Sequence, residues 1–201
     1  CYAGVTHALA GHYFNSTEPD NWLRAAGIEP ANAEIWYRLG RYRQLDFDHA
    51  DLPLAISYYQ RAVALNPNNQ WNAADIGSIL VYVGGSEEAL GWFARAREID
   101  PYFDPPWYWR GLAQAYMHLQ RYADAVLMLG HMRARPYRAA ALMAACLAEL
   151  GDTERARASV AECLARRPDF TVGWYMSKEP FRDPADAARV AASLRLAGLP
   201  E

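Results

Sequence analysis

The residues whose types could support metal or acid–base chemistry are few and scattered along the chain. The densest group is the run Asp46-Phe47-Asp48-His49-Ala50-Asp51, in which alternate aspartates and a histidine offer oxygen and nitrogen ligands. The run lacks the glycine and the closing glutamate of a calcium loop, and no cysteine or second histidine stands at a zinc-site spacing. We expect a solvated turn in which Asp51 caps the helix that starts near Pro53, with no metal site and no cofactor.

The histidines and the glycine-rich turn do not form a catalytic group either. No serine, cysteine or carboxylate stands at a spacing typical of catalysis from any of the histidines at positions 7, 12, 49, 118 and 131. Gly84-Gly85-Ser86 lacks the downstream lysine of a phosphate-binding loop and is interpreted as a turn. We expect Ser86 to cap the helix that follows it, and Asp152 to do the same after the turn Gly151-Asp152-Thr153. The sequence therefore indicates a protein that is not an enzyme.

The net charge argues against nucleic acid and anionic membranes as partners, and the hydropathy argues against a membrane-spanning helix. The formal net charge is −3, which favours binding neither to nucleic acid nor to an anionic membrane surface. No stretch approaches the roughly 20 uninterrupted apolar residues that a membrane-spanning helix needs. Hydrophobic residues make up 52% of the chain, which is ample for a core.

Three cysteines are too few, and odd in number, for a disulfide framework. Cys146 and Cys163 fall at inward positions of one predicted hairpin, so we interpret them as small buried thiols, with a disulfide as the alternative. Cys1 leaves a second alternative open, because a mature bacterial lipoprotein begins with cysteine. We expect a bacterial cytoplasmic protein, and an envelope-associated lipoprotein if Cys1 is a processed N-terminus.

A repeated pattern of small and bulky residues organises the chain. A small residue, a bulky residue, a second small residue and a proline recur in four copies, whose first residues lie 34, 36 and 31 positions apart. This period indicates stacked helical hairpins, in which small residues let two helices approach closely and proline ends the second helix. The copies are Ala55–Tyr59–Ala62–Pro67, Ala89–Phe93–Ala96–Pro101, Ala125–Leu129–Met132–Pro136 and Ala156–Val160–Cys163–Pro168.

The repeat closely resembles the tetratricopeptide repeat (TPR), a helix–turn–helix unit of about 34 residues. The first helix of the motif is matched by Trp36, Leu39 and Gly40 in the first copy and by Trp109 and Leu112 in the third. The resemblance implies an all-α fold, a right-handed TPR superhelix, that is, an α-solenoid of helical hairpins. It divides the chain into a degenerate N-terminal hairpin at 1–30, four TPR hairpins across 31–168 (about 31–67, 68–101, 102–136 and 137–168), and a linker with a C-terminal capping helix at 169–201.

The two ends of the chain depart from the regular repeat. At the start, one helix is expected around Ala8–Tyr13 and another around Trp22 and Ala25, with a turn over Asn15–Asp20. At the end, Asp183-Pro184 is a strong helix start, and the helix is expected to run to about Leu196 and stop at Gly198. We expect this last helix to cap the array.

The tail from residue 166 to 201 carries a second resemblance. Its elements are Glu179-Pro180-Phe181, Asp183-Pro184-Ala185-Asp186 and the closing Ala197-Gly198-Leu199-Pro200. They resemble the extreme C-terminus of bacterial class III adenylate or guanylate cyclases with TPR regions, and of related regulators. This resemblance implies an alternative role as the non-catalytic regulatory region of a cyclase or transcription regulator.

The residues expected to face a partner lie on the first helix of each hairpin, at the positions that the TPR resemblance assigns to the concave groove. Their aromatic rings and arginines suit a protein or peptide with apolar anchors and acidic groups. We therefore expect a protein–protein interaction scaffold, with homo-oligomerisation left open. Packing between hairpins is the alternative role for the aromatic residues, whereas we expect no packing role for the arginines. The candidate residues are Tyr37, Arg38, Arg41, Gln44, Trp71, Asp75, Ser78, Tyr82, Trp107, Arg110, Gln114, His118 and Arg138.

Overall fold

The computed structural model describes residues 19–45 and 51–201. Across these residues the chain forms eleven α-helices and no strand, which confirms the predicted all-helical architecture. In chain order the helices are α1 Pro19–Ile28, α2 Ala33–Leu45, α3 Leu52–Leu65, α4 Gln70–Tyr82, α5 Ser86–Ile99, α6 Pro106–His118, α7 Tyr122–Gly130, α8 Tyr137–Glu149, α9 Thr153–Arg166, α10 Val172–Lys178 and α11 Pro184–Leu196.

Consecutive helices pair into hairpins because their facing residues are small. α2 packs along α3, α4 along α5, α6 along α7 and α8 along α9. At the first of these seams, a Cβ added to Gly40 would lie 2.7 Å from Cδ1 of Tyr59, a contact that only glycine avoids. Ala55, Ala113 and Ala125 are fully buried. The small residues of the repeat thus point into helix–helix contacts, as the pattern predicted.

Bulky residues fill the space between one hairpin and the next. The rings of Phe93 and Tyr108 meet edge to face with centroids 5.4 Å apart, and the Tyr108 hydroxyl donates to the Phe93 carbonyl at 3.0 Å. Buried residues in contact extend from Tyr37 to Leu199 as one cluster. The hairpins therefore share one elongated core.

At the N-terminal end of the described region, α1 packs on α2 through Trp22 and Ala25. The helix begins at Pro19, inside the stretch Asn15–Asp20 that we expected to be a turn. Proline is favoured at the first position of a helix, which accounts for the earlier start. The helix expected around Ala8–Tyr13 lies outside the described residues.

The aspartates predicted as helix caps act as caps. Each accepts a backbone N–H of the first turn, at 3.1 Å for Asp51, 3.2 Å for Asp152 and 2.8 Å for Asp183. The other members of the acidic run before α3, residues 46–50, lie outside the described part of the chain. The predicted starts of α3, α9 and α11 are thereby explained by local hydrogen bonds.

Ser86, which we expected to cap α5, does not do so. Gly84 adopts a φ of +85° and Gly85 takes the cap position, so Ser86 becomes the first residue of the helix. Its hydroxyl instead lies 3.3 Å from Nδ1 of His118, on the next hairpin. The left-handed glycine ends the turn one residue earlier than the sequence suggested.

Beyond the fourth hairpin the chain folds back onto the array. α10 is only 7 residues long, and after it α11 packs chiefly on α8, the first helix of the fourth hairpin. α11 ends just before Gly198, whose φ is +88°, as predicted. The backbone N–H of Val172 donates to the carbonyl of Pro200 at 2.7 Å, which ties the last residues to α10. We call residues 179–196 the C-terminal segment.

The two cysteines of the fourth hairpin are buried and free, as predicted. Cys146 lies on α8 and Cys163 on α9, and both thiols are fully buried. None of the helices in the described part of the chain could span a lipid bilayer, because each is too short for an apolar stretch of the required length.

Candidate functional site

The first helices of the hairpins form one continuous face, which we call the inner face. α2 contacts α4, α4 contacts α6, and α6 contacts α8. Three adjoining cavities of about 280, 160 and 370 Å³ run along this face. The first and second cavities share Arg41, and the second and third share Trp107 and Arg110. Together they form one groove, the inner groove.

Most of the candidate partner-binding residues line this groove. Gln114 and His118 do not, because both are buried on the last turns of α6. Tyr137 and Met132 line the third cavity but were not predicted, although Tyr137 directly precedes the candidate Arg138. The candidates that line the inner groove are Tyr37, Arg38, Arg41, Gln44, Trp71, Asp75, Ser78, Tyr82, Trp107, Arg110 and Arg138.

The arginines at the N-terminal end of the groove differ in their surroundings. The Arg38 side chain is 50% exposed and pairs with Glu34, one turn earlier on α2, at 2.6 Å. The Arg41 guanidinium lies 5.9 Å from the centre of the Tyr37 ring and also faces Asp75. Both residues are exposed, and Arg38 is held by an exposed ion pair that a partner carboxylate can replace at little cost.

The groove tryptophans are packed and accessible at the same time. Trp71 meets Phe103 edge to face at 4.9 Å between centroids and lies 5.8 Å from Trp107. Even so, 37% of Trp71 is exposed. The two roles considered for this ring, partner anchor and packing between hairpins, are thus not exclusive, since Trp71 packs against Phe103 and Trp107 and also lines the first cavity.

Asp75 is a buried carboxylate at the floor of the second cavity. Burial raises its pKa to about 6, against the lowering influence of the Arg41 guanidinium and the Tyr37 hydroxyl. Burial and the nearby Asp75 charge in turn raise the pKa of Tyr37. Within the described residues, Oδ2 of Asp75 has no hydrogen-bond partner. The carboxylate is thus a buried, incompletely satisfied acceptor beside the groove.

The C-terminal segment covers the other end of the inner face. The Glu179 carboxylate forms an ion pair with Arg138 at 2.7 Å and also accepts a hydrogen bond from the hydroxyl of Tyr82. Arg110 donates to Gln114 at 3.2 Å. Our expectation that the inner-face arginines have no packing role is wrong for Arg138, because the folded-back segment supplies its carboxylate.

The residues after Glu179 continue along the same face. The backbone N–H of Arg182 donates to the carbonyl of Tyr82 at 2.9 Å. The Phe181 ring lies 5.6 Å from Tyr82 and 5.5 Å from His118, measured between centroids. Sequence reasoning missed this docking, although it had singled out Glu179-Pro180-Phe181 as an unusual element of the tail.

Ser86, His118 and Asp186 come together without forming a catalytic relay. The Ser86 hydroxyl lies 3.3 Å and the Asp186 carboxylate 3.9 Å from the same ring nitrogen of His118, Nδ1. A relay needs the serine and the carboxylate on opposite ring nitrogens. Burial lowers the pKa of His118, against the Asp186 charge that raises it. In the part of the chain that is described, no three metal-ligating side chains cluster.

Solved structures provide the comparison that identifies the fold. YrrB, described as a TPR protein with an unusual peptide-binding site, matches with a TM-score of 0.62 and 16% identity over 90% of this chain and 97% of that chain. PilW, a type IV pilus biogenesis factor, matches with a TM-score of 0.67 and 16% identity, covering 96% of this chain and 88% of its own. The chain has the tetratricopeptide-repeat fold. The predicted TPR architecture is confirmed.

The TPR fold also occurs within an enzyme among the similar structures. The O-GlcNAc transferase of Thermobaculum terrenum matches with a TM-score of 0.55 and 23% identity, covering 66% of this chain and 26% of that chain. No protein-family model and no curated protein matches the sequence. At these identities the structural likeness establishes the TPR fold alone. The resemblance of the tail to cyclase-linked proteins stays a prediction.

Proposed function

We propose that this protein is an interaction scaffold that binds an extended segment of a partner protein in the inner groove. The observation that carries the proposal is the continuity of the three cavities through the shared residues Arg41, Trp107 and Arg110. A continuous groove across the first helices of four hairpins suits an extended chain better than a compact ligand. The peptide-binding site named for YrrB supports this use of the fold.

The lining of the groove indicates the chemistry of the partner. Trp71 and Trp107 offer aromatic surface for apolar anchors, while Arg38, Arg41 and Arg110 offer positive charge. Arg110 forms no ion pair within 4 Å among the described residues and donates hydrogen bonds to Tyr82 and Gln114, although the nearby Glu179 charge raises its pKa against the lowering effect of burial. A partner segment with acidic side chains between apolar anchors would satisfy both features.

A cavity larger than any of the three in the inner groove lies elsewhere in the described region and is the competing surface. It has a volume of about 530 Å³ and lies between α3 and α5, the second helices of the first two hairpins. Trp92 and Arg95 line it, beside Glu87 and Glu88. We favour the inner groove, because the outer cavity is confined to two hairpins and carries carboxylates beside its single arginine.

The test compares matched tryptophan and arginine substitutions on the two surfaces. Peptides are selected from a random-peptide phage library on the wild-type protein, and their affinities are measured by isothermal titration calorimetry. We expect Trp71→Ala and Arg38→Gln each to weaken binding about tenfold, as truncation of an interface anchor does. We expect the selected peptides to be rich in acidic and aromatic residues.

The controls are Trp92→Ala and Arg95→Gln, which remove the same residue types from the outer cavity. Circular dichroism spectra of all four variants are compared with that of the wild type to check that each variant is folded. Peptides that lose affinity with Trp92→Ala and Arg95→Gln, and keep it with Trp71→Ala and Arg38→Gln, would place binding on the outer surface and contradict the proposal.

A second candidate function is a regulatory region of a larger protein. The observation that favours it is that Glu179 and Asp186, which belong to the elements of the cyclase-like resemblance, are also residues that contact the inner face. A reading frame that continues upstream into a cyclase or a winged-helix domain would support this candidate, and a complete frame without either would count against it.

A further inference from the structure

The C-terminal segment and the inner groove meet at shared residues. Arg138 lines the third cavity and pairs with Glu179 at 2.7 Å. Tyr82 lines the second cavity and donates its hydroxyl hydrogen to the same carboxylate. One end of the groove that we propose for a partner is therefore already bound to an acidic residue of this chain.

Residues 179–182 bind the inner face as a short peptide with a tight turn at Pro180, where the backbone N–H of Phe181 donates to the Glu179 carbonyl at 2.9 Å. Glu179 has extended backbone angles, with φ −105° and ψ 123°. The backbone N–H of Arg182 donates to the Tyr82 carbonyl at 2.9 Å, and the Phe181 ring contacts Tyr82 and His118. A buried charged hydrogen bond, a main-chain hydrogen bond and an aromatic contact are the elements by which peptide-binding grooves hold a ligand.

The anchoring of this stretch rests on few side chains. Glu179 is buried, whereas Lys178 before it and Arg182 after it are exposed. Phe181 is partly buried, and residues 179–183 lie between α10 and α11 without helical structure of their own. A stretch held by two side chains and one backbone hydrogen bond can open locally while the hairpins stay folded.

We propose that Tyr82, His118 and Arg138 form a binding site for an acidic–proline–aromatic segment, and that residues 179–182 fill it in competition with a partner segment of the same chemistry. The inference rests on the proposed function, because the partner that competes is the one bound in the inner groove. Its acidic side chain replaces Glu179 at Arg138, and its aromatic ring replaces Phe181 beside His118. The chain's own tail thereby sets how tightly the groove holds that partner.

The experiment uses a fluorescein-labelled peptide with the sequence of residues 177–187, SKEPFRDPADA, and the full chain. Fluorescence anisotropy measures its affinity for the wild type and for the double variant Glu179→Ala/Phe181→Ala, whose own tail has lost both anchors. We expect the double variant to bind the peptide at least about tenfold more tightly, because the site is vacated. Adding Arg138→Gln to the double variant, or replacing Glu and Phe in the peptide by Gln and Ala, should abolish this gain.

A double variant with a native circular dichroism spectrum and no gain in affinity would overturn the proposal. If the double variant does not fold, Glu179→Gln alone is tested with the same peptide; a severalfold gain supports the proposal and an unchanged affinity overturns it.

Trp71→Ala, in the first cavity, separates this inference from the proposed function. If Trp71→Ala weakens binding of the library-selected peptides, but the tail peptide does not bind the vacated site, only the present inference is contradicted. If the tail peptide binds equally well with Trp71→Ala, and no library-selected peptide depends on Trp71, the tail-binding site is supported and the proposed function of the groove is contradicted.

Discussion

The Glu179 carboxylate and the Arg138 guanidinium form an ion pair of 2.7 Å between residues that lie 41 positions apart. The Glu179 side chain is 1% exposed and the Arg138 side chain 23% exposed, so the pair is largely removed from water. Arg138 also lies 5.3 Å from the centre of the Trp174 ring. The pair connects the first helix of the fourth hairpin to the returning tail.

Replacing Glu179 by glutamine should destabilise the protein, because Arg138 and the Tyr82 hydroxyl lose a charged acceptor. We expect the free energy of unfolding, measured with urea, to fall by about 1–3 kcal/mol. The matched control is Glu98→Gln, which breaks the exposed Arg95–Glu98 pair at 3.2 Å. That variant should change stability by less than about 0.5 kcal/mol. Equal losses in the two variants would show that Glu179 acts as an ordinary surface carboxylate.

Gly40→Ala should destabilise the first hairpin by overpacking its seam. The new Cβ would lie 2.7 Å from Cδ1 and 2.8 Å from Cε1 of the fully buried Tyr59 ring. We expect a loss of about 1–3 kcal/mol in the free energy of unfolding. The control is Gly91→Ala in α5, where no atom lies within 4 Å of the added Cβ. There alanine should stabilise the helix by about 0.5–1 kcal/mol, and a stabilising Gly40→Ala would contradict this account of the seam.

The hairpins could be predicted from sequence because their packing is local and repeats. Gly40 meets Tyr59, and Phe93 meets Tyr108, within about one repeat length, so each contact leaves a periodic signal. The docking of the tail leaves no such signal. Glu179 meets Tyr82 across 97 positions, and this contact has no counterpart one repeat length away among the described residues. The positions of residues within the repeat predict which side chains lie on the inner face, but they do not predict which of those side chains contact another part of the same chain.

Asp75→Asn should make the protein more stable at neutral and basic pH. The folded-state pKa of Asp75 is raised from 3.8 to about 6 by burial beside Tyr37, Arg41 and Tyr59. A raised pKa in the folded state means that stability is fully present below about pH 3.8 and is lost as pH rises through about 6. Between about pH 4 and pH 8 the stability difference should shift by about 3 kcal/mol in favour of the asparagine variant.

The measurement is urea unfolding of both proteins at several pH values across that interval. Asn keeps the shape of the side chain and cannot ionise, but it also replaces one acceptor oxygen by an NH2 donor. The titration is therefore read from how the stability difference changes with pH, and not from its value at a single pH. Stability curves that stay parallel between the two proteins would show that the carboxylate is not perturbed by its surroundings.

The thiols of Cys146 and Cys163 should resist alkylation in the folded protein. Burial raises the pKa of Cys146 to about 12 and that of Cys163 to about 11, so the reactive thiolate is scarce at about pH 8. Pulsed iodoacetamide labelling, read by peptide mass spectrometry, should show both sites modified more than about tenfold faster in concentrated urea than in buffer. Rapid labelling of either site without denaturant would mean that the fourth hairpin opens readily.

The contact between Tyr82 and Glu179 spans three of the four hairpins, from the last residue of α4 to the residue after α10. A linear array in which each unit touches only its neighbours behaves as a spring, whose pitch changes when any one junction bends. Here the Tyr82–Glu179 contact joins the second hairpin to the C-terminal segment and fixes the distance between them. The stretch from α4 to α11 should therefore unfold as one cooperative unit, and its curvature should not change until the Tyr82–Glu179 contact is broken.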